Sequence, residues 1–180
     1  MKTIQFSEAA AQHLEAMYST PDVVAQRADT LDRLSLAAGE QVIDIGCGPG
    51  FLAQDMARAV GASGRVLGID IATQFIERAA ARNDLAQLTY RIGDALSLEV
   101  PDGAFDVAVS TQVLEFVVDV PEALAEMRRA LRPGGRATGG EADTGHGRHQ
   151  RRSDRSRWLR RREGHGCAAR ERQLRRAGPR

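Results

Sequence analysis

The chain has 180 residues, of which 42% are hydrophobic and 4% aromatic, which suits one domain with a core of Ala, Val, Leu and Ile. No apolar stretch approaches the roughly 18 residues that span a bilayer, and the N-terminus lacks a signal-peptide pattern. Two distant cysteines, Cys47 and Cys167, form neither a disulfide framework nor a metal-ligand spacing. These features exclude a membrane-spanning or disulfide-rich secreted class and predict a cytoplasmic protein without a metal site.

The net charge of +1 conceals an asymmetry along the chain. Residues 1–135 carry 11 basic and 19 acidic side chains, whereas residues 136–180 carry 14 arginines and 5 acids. This contrast predicts two regions with different partners or different histories.

Two helices are predicted before the first strand. The first covers residues 7–18, and the second begins at Thr20 and Pro21, with Thr20 as N-cap and Pro21 at the first helical position. The second helix has a predicted apolar face of Val24, Ala28, Leu31 and Leu34.

After Gly39, short apolar runs alternate with helical patterns. The predicted strands are, in chain order, 41–45, 65–69, 88–92 and 105–110, and the helices between or after them are 51–61, 73–83 and 121–131. This alternation predicts an α/β fold, a parallel sheet covered by helices on both faces. Right-handed crossovers then place the carboxyl ends of all strands at one edge.

Polar residues follow each predicted strand. Asp44 and Gly46 end the first, Asp70 the second, Asp94 the third and Thr111 the fourth. Because ligands of such sheets bind at the carboxyl edge, we expect these residues to converge on one crevice.

The stretch "VIDIGCGPG" (42–50) contains a glycine loop directly behind the first strand. It lacks the Gly-Lys-Ser/Thr end of a phosphate-binding P-loop, and Gly46, Gly48 and Gly50 are spaced G-x-G-x-G, unlike the dinucleotide fingerprint. Asp44, just before the loop, would repel a pyrophosphate and attract an ammonium group. The loop therefore indicates a cationic ligand without phosphate.

The acids at the ends of the other strands narrow the range of possible ligands. Asp70 is positioned to accept bonds from both ribose hydroxyls, and Asp94 from an adenine amino group, with the N–H of Ala95 facing a ring nitrogen. One acid for an amino end, one for ribose and one for adenine describe S-adenosylmethionine, a cation that an acidic pocket attracts.

Five motifs in order resemble those of class I S-adenosylmethionine-dependent methyltransferases: "VIDIGCGPG", "VLGID", "YRIGDA", "FDVAVSTQVLEFVVD" and "LRPGGR". The resemblance covers residues 20–136 and is greatest to the small-molecule branch that includes ubiquinone/menaquinone-biosynthesis and arsenite methyltransferases. It implies a Rossmann-like doubly wound sheet and transfer of a methyl group to a small-molecule acceptor.

The resemblance also implies roles for single residues. Asp44 and the loop Gly46–Gly50 would hold the methionine portion, Asp70 the ribose, and Ile71, Asp94 and Ala95 the adenine. Thr111 and Gln112 would line the methionine side near the acceptor, and Tyr18 would belong to a lid formed by residues 1–38. No catalytic residue is assigned: Glu115 is the nearest candidate base, and Phe116 stands where related sequences carry His or Tyr.

The pattern of strands and helices stops after Gly135. The core is thus predicted to cover 39–135, and the Arg/Gly-rich residues 136–180 form a tail without a core strand. Three hypotheses for the tail are a nucleic-acid-binding arm, a disordered extension, and an out-of-frame translation of a GC-rich gene. His146, His149 and His165 form no zinc pattern.

The predicted sheet ends after the fourth or fifth strand, whereas the sheet of the family that the chain resembles has seven. An intact cofactor half and an incomplete acceptor half would follow, with exposed apolar surface on the fourth strand and its neighbouring helix. The alternative to a small-molecule methyltransferase is therefore a truncated chain that at most binds the cofactor.

Overall fold

The computed structural model describes residues 7–140. The elements in this range are α1 (Glu8–Tyr18), α2 (Pro21–Leu34), β1 (Gln41–Ile45), α3 (Phe51–Val60), β2 (Arg65–Asp70), α4 (Thr73–Ala81), β3 (Leu88–Ile92), β4 (Phe105–Thr111), α5 (Val120–Ala130) and β5 (Leu131–Gly140). A single 3-10 turn, Leu114–Phe116, lies between β4 and α5. The Arg/Gly-rich tail was predicted at 136–180, and all of it beyond Gly140 lies outside the described residues.

The helices begin where the sequence places their caps. The Oγ of Ser7 accepts a hydrogen bond from the N–H of Ala10 at 3.2 Å and starts α1. Pro21 is the first residue of α2, as predicted, but Thr20 does not cap it through its side chain. The Thr20 hydroxyl instead donates to the carbonyl of Met17 at 2.8 Å, so it closes the end of α1.

The five strands form one parallel sheet in the order β3-β2-β1-β4-β5. The chain moves outward from β1 to β3, returns to β4 on the other side of β1, and continues to β5. The direction of winding therefore reverses between β1 and β4, and their carboxyl ends flank the crevice in which sheets of this kind bind ligands.

Alternate residues of β1 point to opposite faces of the sheet and enter two separate cores. On one face Val42 packs with Met56 and Val60 of α3. On the other face Ile43 and Ile45 pack with α5 through Met127. All these side chains are at most 1% exposed, so the predicted two-layered covering of a Rossmann-like sheet is confirmed.

The fifth strand extends beyond the point where the sequence pattern fails. Residues 136–140 pair with residues 107–111 of β4, although they were assigned to a tail without a core strand. That assignment is wrong for these five residues. Their composition has little β propensity, and the strand forms because it pairs along the whole carboxyl half of β4, a tertiary effect that local sequence does not encode.

The prediction of exposed apolar surface on the fourth strand is also wrong. Residues 106–110 of β4 are buried, because β1 and β5 flank the strand and α5 covers it through Ala123, Met127 and Ala130. The large apolar side chains that remain exposed next to β4 lie in the loop that follows it: Phe116 is 79% exposed and Val118 is 93% exposed.

Candidate functional site

The glycine loop turns sharply away from β1 into α3. Gly46, Gly48 and Gly50 have φ angles of 74°, 52° and 80°, in the left-handed region that favours glycine. At Gly50 a Cβ would also lie 2.5 Å from the Oη of Tyr90, whose hydroxyl donates to the Gly50 carbonyl. The loop is therefore fixed by backbone geometry and by close packing against β3.

The N–H groups of this loop are used inside the protein. Those of Gly46 and Cys47 donate to the carbonyl of Ile69 at 2.7 and 3.0 Å. The N–H of Gly48 donates to Asp70 Oδ2 at 2.8 Å, and that of Gly50 to the Cys47 carbonyl at 2.9 Å. Phosphate-binding loops direct such groups at the ligand. This loop does not, which agrees with the sequence-based exclusion of a pyrophosphate.

Asp44 carries a carboxyl group that is buried beside the loop. The side chain is 1% exposed, and its Oδ2 has no hydrogen-bond partner among residues 7–140. Burial, together with the nearby charge of Asp70, raises the pKa of Asp44 to about 7. A positive charge placed here would stabilise the carboxylate, so the site suits a cationic ligand.

Asp70 ends β2 and is tied to the backbone on both sides of the crevice. Its Oδ2 accepts the Gly48 N–H, and its Oδ1 accepts the N–H of Ala72 at 2.8 Å. Burial raises the pKa of Asp70, while these N–H groups act in the opposite direction. Each oxygen keeps a lone pair for a hydroxyl donor, which leaves the predicted ribose contacts chemically available.

A cleft of about 350 Å³ opens between the carboxyl edge of the sheet and α2. Of the sequence-predicted residues it brings together Tyr18, Asp44, Gly46, Thr111 and Gln112. Its lining does not include the other predicted residues, which are Gly48, Gly50, Asp70, Ile71, Asp94 and Ala95. The cleft thus contains the residues predicted for the methionine and acceptor side except Gly48 and Gly50, and their roles stay predictions.

Asp94 follows β3, beside the end of β2, where the N–H of Gly93 donates to the Asp70 carbonyl at 3.0 Å. Asp94 Oδ1 accepts the N–H of Leu96 at 2.9 Å and so stabilises its own turn. Ala95 packs against the apolar cluster on the α5 face. The adenine contacts of these two residues stay predictions.

The loop after β4 closes the crevice from the other side. Gln112 has a φ of 54°, and this turn directs Val113 onto the glycine loop, where a Cβ on Gly46 would lie 2.1 Å from Val113 Cγ2. Glu115 is exposed on the 3-10 turn and does not line the cleft. The structure therefore does not place the candidate base at the cleft.

The wall formed by α2 was missed by sequence reasoning. Its cleft-lining side includes Val23, Gln26, Arg27 and Thr30, at the helical spacing i, i+3, i+4 and i+7. The predicted apolar face is wrong at Val24, which is 42% exposed, and at Ala28, which is also exposed, and right at Leu34, which is 3% exposed. The sequence carries this wall as a helical stripe of mostly polar residues, and a search for the periodicity of apolar residues does not detect such a stripe.

A second missed group surrounds Phe51, the first residue of α3. Its ring stacks on Tyr18 with centroids 6.1 Å apart, and the guanidinium groups of Arg27 and Arg82 lie 5.3 and 4.4 Å from the ring centroid. Sequence reasoning could not find this group because its members come from four separate elements.

The structure also limits other kinds of site. Between residues 7 and 140 no three His, Cys, Asp or Glu side chains are close enough to hold a metal ion. None of the helices in that range combines the length and apolar character needed to cross a bilayer.

The sequence matches known proteins over the region that builds this site. Residues 43–138, more than half of the chain, match the family model described as methyltransferase domain. The chain is 41% identical over 108 residues to 2-phytyl-1,4-naphtoquinone methyltransferase of Thermosynechococcus vestitus, an alignment that covers 59% of this chain and 48% of that relative. It is 40% identical over 111 residues to arsenite methyltransferase of Aquipseudomonas alcaligenes, covering 56% and 32%.

A solved structure shows the same fold. Phosphoethanolamine N-methyltransferase 1 of Haemonchus contortus, in complex with phosphoethanolamine and S-adenosylhomocysteine, superposes with a TM-score of 0.60 at 30% identity. The match covers 65% of this chain and 25% of that one. The chain spans about half the length, or less, of the relatives it matches.

Proposed function

The chain belongs to the methyltransferase domain family, whose cofactor is S-adenosylmethionine, and we propose that its cleft binds this cofactor and directs methyl transfer to a small-molecule acceptor. The observation that carries the proposal is the buried Oδ2 of Asp44, which has no hydrogen-bond partner within residues 7–140, beside a glycine loop whose N–H groups are already used. This donor set fits a cation and does not fit a phosphate.

The chain's residues divide the cofactor among them. Asp44 and the loop Gly46–Gly50 hold the cationic methionine portion, and Asp70 accepts the ribose hydroxyls. Ile71, Asp94 and Ala95 hold the adenine. The carboxyl groups of Asp44 and Asp70 beside the loop support the methionine and ribose parts of this division.

When bound, S-adenosylmethionine supplies a methyl group on a positively charged sulfur that leaves as a neutral thioether. Because the leaving group is already good, the protein contributes orientation and exclusion of water more than acid or base chemistry. Tyr18 and α2 cover the crevice and exclude water. Thr111 and Gln112 line the side from which the acceptor approaches.

The acceptor enters between α2 and the ends of β4 and β5. This part of the cleft presents hydrogen-bonding side chains, among them Gln26, Thr30 and Thr138. Glu115 is exposed outside it, so Glu115 is not placed to take a proton from an acceptor in the cleft. A compact acceptor with polar groups fits this lining better than a nucleic acid. The cytoplasmic location expected from the sequence belongs to the same proposal.

Calorimetry with S-adenosylhomocysteine tests the cofactor site. Asp70→Ala removes the ribose acceptor, and we expect the dissociation constant to rise about tenfold or more. Asp84→Ala, in the exposed segment before β3, is the matched control and should bind like the wild type. Absence of binding heat in the wild type, or equal affinity of Asp70→Ala, would show the assignment to be wrong.

Transfer of a labelled methyl group tests the enzymatic part. The wild type is incubated with methyl-labelled S-adenosylmethionine and small-molecule acceptors carrying hydroxyl, thiol, amine or arsenite groups. Label in one acceptor class supports methyltransferase activity. Binding of the cofactor with label in none of them favours the alternative of a chain that binds without catalysing transfer.

A further inference from the structure

The α1 helix packs on the rest of the protein through a small apolar cluster, whereas α2 also reaches the main core through Leu31 and Leu34. The apolar cluster beneath α1 consists of Ala11 and Leu14 against Ala72 and Phe75. Nearby apolar side chains stay in solvent: Met17 is 48% exposed. Because this apolar cluster is small, ion pairs of Glu15 with Arg78 and Arg82 and the stacking of Tyr18 on Phe51 add to the attachment of α1.

Arg27 fastens α2 to α3 and to the end of α1. Its Nε donates to Asp55 Oδ2 at 2.6 Å, and its Nη1 donates to the carbonyl of Tyr18 at 3.1 Å. The side chain is only 16% exposed, and its guanidinium group lies over the Phe51 ring. This partly buried arginine therefore contacts both the end of α1 at Tyr18 and the Phe51 ring on which Tyr18 stacks.

Arg82 makes the equivalent connection from the end of α4. Its Nη1 donates to Glu15 Oε1 at 2.7 Å, and its Nη2 donates to the carbonyl of Pro49 within the glycine loop. Its guanidinium group lies over the same Phe51 ring. Hydrogen bonds from Arg78, with a further contribution from Arg82, keep the pKa of Glu15 below its usual value, so the Glu15 carboxylate stays charged at neutral pH.

These contacts meet at the mouth of the cleft. Tyr18, Arg27 and Phe51 all line it, and the Tyr18 hydroxyl lies beside Gly48, 3.9 Å from where a Cβ would stand. Arg82 holds the loop through the Pro49 carbonyl. A ligand seated on the loop is thus enclosed by groups that the two arginines position.

We propose that Arg27 and Arg82 are positioning residues that latch α1 and α2 onto the glycine loop through the Phe51 ring and thereby set how long the cofactor stays bound. The inference rests on the proposed cofactor site. Neither arginine touches the reacting atoms; both act through the helices and the loop that they position.

The rate at which S-adenosylhomocysteine dissociates tests the latch. Arg82→Ala removes its own bond to Glu15, the Pro49 bond and the ring contact together, while Glu15 keeps its pair with Arg78, and we expect dissociation to become about tenfold faster. Arg82→Lys keeps a charge opposite Glu15 but not the planar group over the Phe51 ring. Its dissociation rate should therefore lie between those of the wild type and Arg82→Ala. Arg58→Ala is the matched control: Arg58 pairs with the same Asp55 as Arg27, and its side chain is 55% exposed.

A double-mutant cycle separates the latch from a general loss of stability. In a Phe51→Leu background, Arg82→Ala should speed dissociation by a smaller factor than in the wild type, because the shared ring is already absent. Equal factors in both backgrounds, or equal rates for Arg82→Ala and Arg58→Ala, would overturn the proposal.

Hydrogen exchange of the ligand-free protein keeps the test independent of cofactor binding. Amides of α1 should lose protection in Arg82→Ala and keep it in Arg58→Ala. If the wild type does not bind S-adenosylhomocysteine, the proposed function fails, and exchange still decides whether the arginines hold the helices. Unchanged protection of α1 in Arg82→Ala would contradict the latch.

Discussion

The carboxyl group of Asp44 lies inside the carboxyl edge of the sheet, flanked by Gly46 and by the charge of Asp70. Its environment opposes ionisation, because burial removes water and no donor faces Oδ2 within the described part of the chain. A residue in a purely structural role would be expected to have such a donor. Strain of this kind is typical of ligand-binding sites.

The raised pKa of Asp44 links stability to pH with a definite sign. The carboxyl titrates near 3.8 in an unfolded chain and at about 7 in the folded one. Between these values the folded chain binds one more proton at this site than the unfolded chain. The free energy of unfolding therefore falls as the pH rises through this window, and the destabilisation is complete above about pH 7.

Asp44→Asn should therefore stabilise the protein at about pH 8. We expect the free energy of unfolding to increase by roughly 1–3 kcal/mol and to depend less on pH between about 5 and 8. Urea denaturation at several pH values measures both effects. Binding of S-adenosylhomocysteine should weaken in the same variant, because the carboxylate is lost.

Asp106→Asn is the matched control for this prediction. Asp106 is also buried, but its Oδ2 accepts the N–H of Gln41 at 2.8 Å and its carboxylate pairs with Arg132. Its substitution should lower the free energy of unfolding. A destabilised Asp44→Asn at about pH 8 would show that Asp44 is structural.

Much of the candidate site could be predicted at the residue scale. The order of acids and glycines behind successive apolar runs located Asp44, Gly46 and Asp70 at one edge of the sheet. Their partners could not be predicted. Tyr90 reaches Gly50 from 40 residues away, and Val113 reaches Gly46 across the crevice, contacts that exist only after the strands have paired.

At the scale of elements, the first four strands and the helices between them were predicted within a few residues. Their β-branched runs are bounded by glycine, proline and aspartate, and so local sequence and tertiary structure agree. In the stretch "LRPGGRATGG" the local sequence does not favour the strand that the tertiary structure contains. The sequence extended the preceding helix to Leu131, whereas the helix ends at Ala130 and Leu131 already begins β5.

Arg136 shows that β5 is integrated into the fold. Its guanidinium group pairs with Glu40 at 2.6 and 2.8 Å and donates to the carbonyls of Leu34 and Ser35 at the end of α2. A cation at a helix C-terminus satisfies carbonyls that have no partner in the helix. The first residue assigned to the tail thus connects β5 to the helix that walls the cleft.

Arg136→Ala should lower the free energy of unfolding by about 1–2 kcal/mol, because the carbonyls and Glu40 lose their donor while partial exposure limits the loss. Arg91→Ala, which removes one exposed bond of 3.3 Å to the Glu99 carbonyl, serves as the control. Chemical denaturation compares the two. Equal stability would mean that residues after Gly135 are not part of the folded unit.

At the scale of the whole molecule, the described chain is a five-stranded sheet whose winding reverses at the cleft. Residues 7–140 carry 11 basic and 19 acidic side chains, and this excess attracts a cationic ligand and repels a polyanion. Apart from residues 136–140, which pair with β4, the division into a lid, a core and a tail stays a prediction, as does the nucleic-acid hypothesis for the tail. Composition shows where along the chain the charge changes from acidic to basic, but it does not determine at which residue the folded part ends.

Equilibrium dialysis with labelled S-adenosylmethionine tests the central claim most directly, with S-adenosylhomocysteine, NAD and ATP as competitors. S-adenosylhomocysteine should displace the label, whereas NAD and ATP should not, since Asp44 and Asp70 repel their phosphates and the loop offers them no unused N–H at Gly46, Gly48 or Gly50. Displacement by NAD or ATP at similar concentration, or no saturable binding of the label, would contradict the assignment of this cleft to S-adenosylmethionine.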